Sequence, residues 1–91
     1  MKLYRTRSHP DGHRDEPDYE VREGFLYRTA SHPAGDTGPA DYHTRGDDLF
    51  RTFTHPQGYS GQPDYRIRSG RAYRSLFHPA GYSSLPDYEL K

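Results

Sequence analysis

Histidine followed by proline occurs at 9–10, 32–33, 55–56 and 78–79, always 23 residues apart. Gly12, Gly35, Gly58 and Gly81 complete a His-Pro-x-Gly motif in each copy. Imidazole is a common ligand for zinc, copper and nickel, so four equivalent histidines meeting on a symmetry axis could hold a metal. The motif as it repeats supplies no second ligand, however, and Pro second with Gly fourth is what a β-turn selects. His9, His32, His55 and His78 therefore read first as loop caps, with a carbonyl or carboxylate as the expected partner. The first copy alone has a richer run, His9, Asp11, His13, Asp15, Glu16 and Asp18. Copies three and four replace it with His55-Pro-Gln-Gly-Tyr59 and His78-Pro-Ala-Gly-Tyr82, so that run is not the purpose of the repeat.

Two charged series share the interval: Asp18, Asp41, Asp64 and Asp87, and Arg5, Arg28, Arg51 and Arg74. An Arg–carboxylate pair is planar and directional, so it fixes geometry as well as supplying energy. It could line a polar pocket for a sugar or anion, or pin each loop to its own hairpin or the next. Identical spacing in all four copies favours the structural role. Catalysis has the weakest case, because Ser8, His9 and Asp11 are triad-like in type but need not converge within a loop. The expectation is a non-enzyme without catalytic residues, bound metal or cofactor.

Recognition is the functional class that survives. The copies differ mainly at 11 and 13–16 and their equivalents, on loops, while the framework stays fixed. Tyr59 and Tyr82 occupy one equivalent loop position, suited to stacking on a sugar or partner, or to covering a thin core. The first expectation is a non-catalytic repeat scaffold engaging a protein, a polymer or copies of itself. A lectin-like protein with several equivalent loop sites is the alternative, and metal binding through the repeated His comes third.

The elements that position these residues follow from the repeat. Tyr19, Tyr42, Tyr65 and Tyr88 complete the invariant set, and the units run approximately 1–23, 24–46, 47–69 and 70–91 of one domain. In the first copy Asp18–Arg22 and Phe25–Thr29 are β-rich stretches separated by Glu23-Gly24, the signature of a tight hairpin. Ser69-Gly70 and Gly46-Asp47 serve the later copies. A two-residue turn sets the register: Val21 faces Leu26 and Tyr19 faces Arg28, with Thr44/Leu49, Tyr42/Arg51, Ile67/Ala72 and Tyr65/Arg74 as equivalents. That face is the expected core, with each Tyr–Arg pair stacked. The intervening segments, such as Ser8–Pro17, are connections rich in turn residues. Lys2–Thr6 and Asp87–Lys91 form the two halves of a split hairpin, pairing Leu3 with Leu90 and Arg5 with Tyr88. The expected fold is all-β, four hairpin repeats closed into a pseudo-fourfold ring or barrel. A monomer is favoured over head-to-tail assembly.

Composition bounds the rest. Among 91 residues, 30% are hydrophobic and none is Cys, so the core is thin and unassisted by disulfides. Nine Tyr and four Phe argue against disorder. Thirteen basic and thirteen acidic residues cancel, which removes the electrostatic footprint of a nucleic-acid binder. No apolar stretch approaches transmembrane length and Met1-Lys2-Leu3-Tyr4 does not begin a signal peptide, so the expected location is cytoplasmic by default.

Overall fold

Glycine at the tight turns determines how each hairpin reverses. Glu23 and Gly24 have φ of 52° and 82°, and Ser69 and Gly70 have 52° and 75°, the two positive values a type I′ turn requires. In the second hairpin Gly46 alone is positive, at 61°, which matches a type II′ turn with Gly first. Both turn types twist with the strands they join, so four-residue strands pair without splaying.

The computed structural model describes residues 1–36 and 38–91. It contains eight strands: β1 (Lys2–Arg5), β2 (Tyr19–Arg22), β3 (Phe25–Arg28), β4 (Tyr42–Arg45), β5 (Asp48–Arg51), β6 (Tyr65–Arg68), β7 (Arg71–Arg74) and β8 (Tyr88–Leu90). Each pairs antiparallel with its sequence neighbours, and β1 pairs with β8, closing the barrel. The facing pairs are those read from the turns, Val21↔Leu26 and Tyr19↔Arg28 with their counterparts. At the closure Leu3 faces Leu90 and Arg5 faces Tyr88, and Lys2 and Lys91 exchange backbone hydrogen bonds of 2.8 and 2.9 Å. No helix among the described residues is long and apolar enough to cross a membrane.

Strand alternation sends one side chain in two to the axis. From the tight-turn end inward come Val21, Thr44, Ile67 and Leu90, then Leu3, Leu26, Leu49 and Ala72, then the four invariant tyrosines, then the four invariant arginines. Leu3, Leu26 and Leu49 are each 1% exposed and Ala72 is wholly enclosed. An eight-stranded barrel has an interior just wide enough for side chains to fill. Burying each Leu contributes about 1.5–3 kcal/mol. The aliphatic core is therefore a single narrow layer, with aromatic and charged layers stacked on it.

The strand seams are of two kinds. Across a tight turn, such as β2–β3, four residue pairs lie in register, from Tyr19↔Arg28 to Arg22↔Phe25. Across a long connection, such as β1–β2, the register holds Lys2↔Glu20 and Leu3↔Tyr19. The short seams coincide with the loops, and they are the seams the invariant charged residues span.

Closure through β1 and β8 predicts that the barrel tolerates a new opening elsewhere. A permutant cut between Glu23 and Gly24, with Lys91 joined to Met1 through one added Gly, keeps every strand pair. It also frees Glu23 from its left-handed conformation. The expected melting temperature by circular dichroism equals or exceeds that of the parent; a permutant unable to fold would contradict intramolecular closure.

Candidate functional site

The His-Pro-x-Gly segment is a turn, as its residue types dictate. Gly12 donates its backbone N–H to the His9 carbonyl at 2.9 Å, and Gly35, Gly58 and Gly81 do the same to His32, His55 and His78 at 2.8 Å. These glycines have φ between 79° and 87°, the left-handed region where a Cβ is strained. Each imidazole Nδ1 accepts the N–H of the residue two positions on (Asp11, Ala34, Gln57 or Ala80) at 3.0 Å. An accepting Nδ1 places the proton of the neutral ring on Nε2. Nε2 then donates to a tyrosine hydroxyl: His9 to Tyr88 and His32 to Tyr19 at 3.3 Å, His55 to Tyr42 and His78 to Tyr65 at 3.2 Å. The histidines do cap their loops, but on a backbone amide and a phenol rather than a carbonyl or carboxylate.

Beneath them lie the aspartates. Nε of Arg5, Arg28, Arg51 and Arg74 donates to Oδ2 of Asp18, Asp41, Asp64 and Asp87 respectively, at 2.8 Å in every copy. The Tyr19 hydroxyl donates to the same Asp41 oxygen at 3.2 Å, and Tyr42 to Asp64 at 3.5 Å. Burial, followed by the charge near Tyr88 and Asp41, pushes the Tyr19 hydroxyl well above its ordinary value, so it remains a donor. The guanidinium is thus engaged by carboxylate, not stacked on the tyrosine it faces in register. The tyrosines pack on one another instead, edge to face around the barrel, with centroids 5.8–6.1 Å apart. Such a cluster links two strands and the connection that follows them: Tyr19 from β2, Arg28 from β3, and His32 and Asp41 from the connection between β3 and β4.

The copies differ at the second carboxylate oxygen. Asp18 Oδ1 accepts from Arg14 Nη1 at 3.2 Å, and Arg14 Nη2 reaches the Ser31 carbonyl at 2.6 Å. Asp64 Oδ1 and Asp87 Oδ1 are buried without a hydrogen-bond partner. Ser60 and Ser83 stand where Arg14 does, and their hydroxyls serve the local backbone of Gln62 and Leu85.

The invariant residues therefore form a framework whose reactive atoms are committed to one another. His9, nominal base of the Ser8/His9/Asp11 set, uses one nitrogen on the Asp11 amide and the other on Tyr88. Each repeated His reaches a different tyrosine, and no three His, Cys, Asp or Glu side chains gather to hold a metal among the described residues. In the first-copy run, His13 contacts the Arg5 carbonyl and Asp15 Oδ1, both at 3.1 Å.

Tyr59 and Tyr82 lie outside the framework, 50% and 60% exposed, and do not cover the barrel. Tyr59 stacks on Phe53 with centroids 4.7 Å apart and planes at 19°. Tyr82 borders a groove of about 300 Å³ whose lining includes Asp48, Arg66, Arg68, Tyr73 and Phe77. Sequence reasoning had passed over the outward residues Arg66, Arg68 and Tyr73. A signal was present at 66 alone, which holds Arg where 20, 43 and 89 hold Glu, His and Glu; 68 is basic and 73 aromatic in every copy.

The cap geometry predicts how stability depends on pH. Burial is the largest influence on all four repeated histidines and lowers each below its ordinary 6.5, helped for His9 and His32 by Arg5 and Arg28. A proton on Nδ1 would also abolish its acceptor role. The unfolded chain therefore takes up protons at a higher pH than the folded one. Stability present above pH 6.5 should fall as the pH drops toward the lowered folded values, then level off. Thermal melts across this range check it, and His32→Asn, which keeps an acceptor at the amide, should flatten the slope. A melting temperature that rises on acidification would contradict the assignment of neutral caps.

No protein-family profile matches the chain, and no curated protein or solved structure matches it either.

Proposed function

We propose that the protein is a non-catalytic recognition scaffold that binds through the loops of its third and fourth repeats. The carrying observation is an asymmetry laid over a symmetric frame. Phe53 is 85% exposed, Leu76 78%, Leu85 59% and Phe77 56%, and Tyr59 and Tyr82 join them. The same loop positions in the first two repeats hold Arg7 and Ala30, Ser8 and Ser31, His13 and Asp36, and Glu16 and Pro39. Clustered exposed apolar groups on a small protein mark interaction surfaces. The turns beneath them are anchored to the barrel by the His55–Tyr42 and His78–Tyr65 hydrogen bonds, which limits the ordering cost of binding. A protein surface or polymer with apolar faces fits such a crown.

A lectin-like reading is second, favoured by the groove, where Tyr73 and Tyr82 stand near Asp48 and Arg66. Aromatic faces pack on sugar rings while planar charged groups take their hydroxyls. Metal binding has the least support, because each repeated imidazole has both nitrogens engaged.

The test is ligand selection on the intact immobilised chain, using a random-peptide display library and an array of neutral and acidic glycans. Ligands should be recovered whose binding is lost in Tyr59→Ser/Tyr82→Ser and retained in Asp11→Ser, with melting temperatures unchanged. Recovery of no ligand, or of ligands indifferent to both tyrosines, would contradict the assignment of the binding face.

A further inference from the structure

We propose that the outer wall of the third hairpin, β6–β7, and the loop after it bind a sugar residue carrying a carboxylate, a uronic acid. This rests on the binding reading above and names a ligand class for one part of that surface.

The four hairpins provide their own controls. Their outward residues at four equivalent positions are Glu20, Arg22, Phe25 and Tyr27; His43, Arg45, Asp48 and Phe50; Arg66, Arg68, Arg71 and Tyr73; and Glu89, Lys91, Lys2 and Tyr4. Only the third set holds three arginines and no acid. Arg68 and Arg71 face each other directly across β6–β7, a like-charge pairing that works against the sheet. Arg71 has Glu89 opposite it on β8, and Arg66 pairs with Asp48 on β5 at 3.1 Å. Arg68 has no carboxylate within ion-pair distance among the described residues, and its guanidinium lies 4.8 Å from the centroid of the Tyr73 ring. The neighbouring loop adds no compensation, since residues 75–86 contain no Asp, Glu, Lys or Arg. The fold therefore leaves a surplus of positive charge on an aromatic wall, beside a groove also bordered by Phe77 and Tyr82.

The chemistry of that groove selects among anions. A guanidinium lying against an aromatic face can present paired N–H donors to a carboxylate, which accepts them side by side. Tyr82 is 60% exposed and offers a face for the C–H side of a sugar ring. Asp48, held by Arg66, accepts hydrogen bonds from hydroxyls. A polyhydroxylated ring with one carboxylate satisfies all three groups, whereas a bare phosphate ion offers Tyr82 no ring face. At about 300 Å³ the groove is at the small end of ligand sites and suits a single ring.

Calorimetric titration of the intact protein with a galacturonic acid trisaccharide tests this, with its methyl ester and adenosine monophosphate as controls. The expected result is saturable one-to-one binding of the free acid, weakened at least tenfold by Arg68→Ala and by Tyr82→Ala, and at least tenfold by esterification. Both side chains are exposed, so the variants should melt with the parent. Equal binding of acid and ester would overturn the carboxylate assignment while leaving a neutral lectin. Tighter binding of the nucleotide would replace the ligand class. Absence of binding to all three probes would overturn the sugar proposal, and if ligand selection on the loop crown also failed, the recognition reading would fall with it.

Discussion

The Arg–Asp pair across each long connection is the interaction on which the barrel depends. Tight turns hold their own strands together, but they leave hairpins that must still be joined. The four seams between hairpins are short, and each is bridged at its loop end by an Arg–Asp pair at 2.8 Å. Arg28 and Asp41 side chains are 7% and 2% exposed, so both charges have left water. Desolvation offsets much of the Coulomb attraction, and such a pair contributes less to net stability than to geometry. Its value here is directional: a planar donor group on one hairpin orients one carboxylate on the next. The tyrosine hydroxyl and histidine ring then build upon that oriented carboxylate.

Stacking explains how so little aliphatic material suffices. Three leucines and one alanine form the enclosed layer, the aromatic ring of tyrosines caps it, and the charged layer closes the loop end. Each invariant Arg finds its Asp at the start of the next hairpin, so docking of the hairpins and satisfaction of these charges are the same event. The unpartnered oxygens, Asp64 Oδ1 and Asp87 Oδ1, fall in the two units whose loops are most apolar. Those loops have Ser at the place where Arg14 serves Asp18. The framework thus carries a local polar deficit under the very loops that expose Phe53 and Leu76.

Much of the architecture was legible because a two-residue turn converts sequence directly into register. Glu23-Gly24 alone implied Val21 opposite Leu26, and the unbroken period carried the same pairing through the strand halves at the termini. The Tyr19–Arg28 facing was correct, yet its expected stacking gave way to the ion pair. The reason is that Asp41, thirteen residues beyond Arg28, reaches it only when the next hairpin docks. The histidine's partner was illegible for the same reason, since Tyr19 precedes His32 by thirteen residues on a different element. The function of the crown and groove is less legible still. Outward residues are free to vary without altering the fold, so their meaning lies in which surfaces come together, and comparison among the four copies isolates Arg66 and Arg71, while the cation at 68 and the aromatic ring beneath it recur in every hairpin.

The central claim is that Arg and Asp act as one unit that docks hairpin on hairpin. A double-mutant cycle on Arg28→Leu and Asp41→Leu, read by denaturant unfolding, measures it most directly. Each single substitution strands a buried charge and should cost about 3–5 kcal/mol. The double substitution should cost clearly less than the sum, leaving a coupling of about 1 kcal/mol or more. Additive losses would mean that the two side chains support the barrel independently, and would contradict the account.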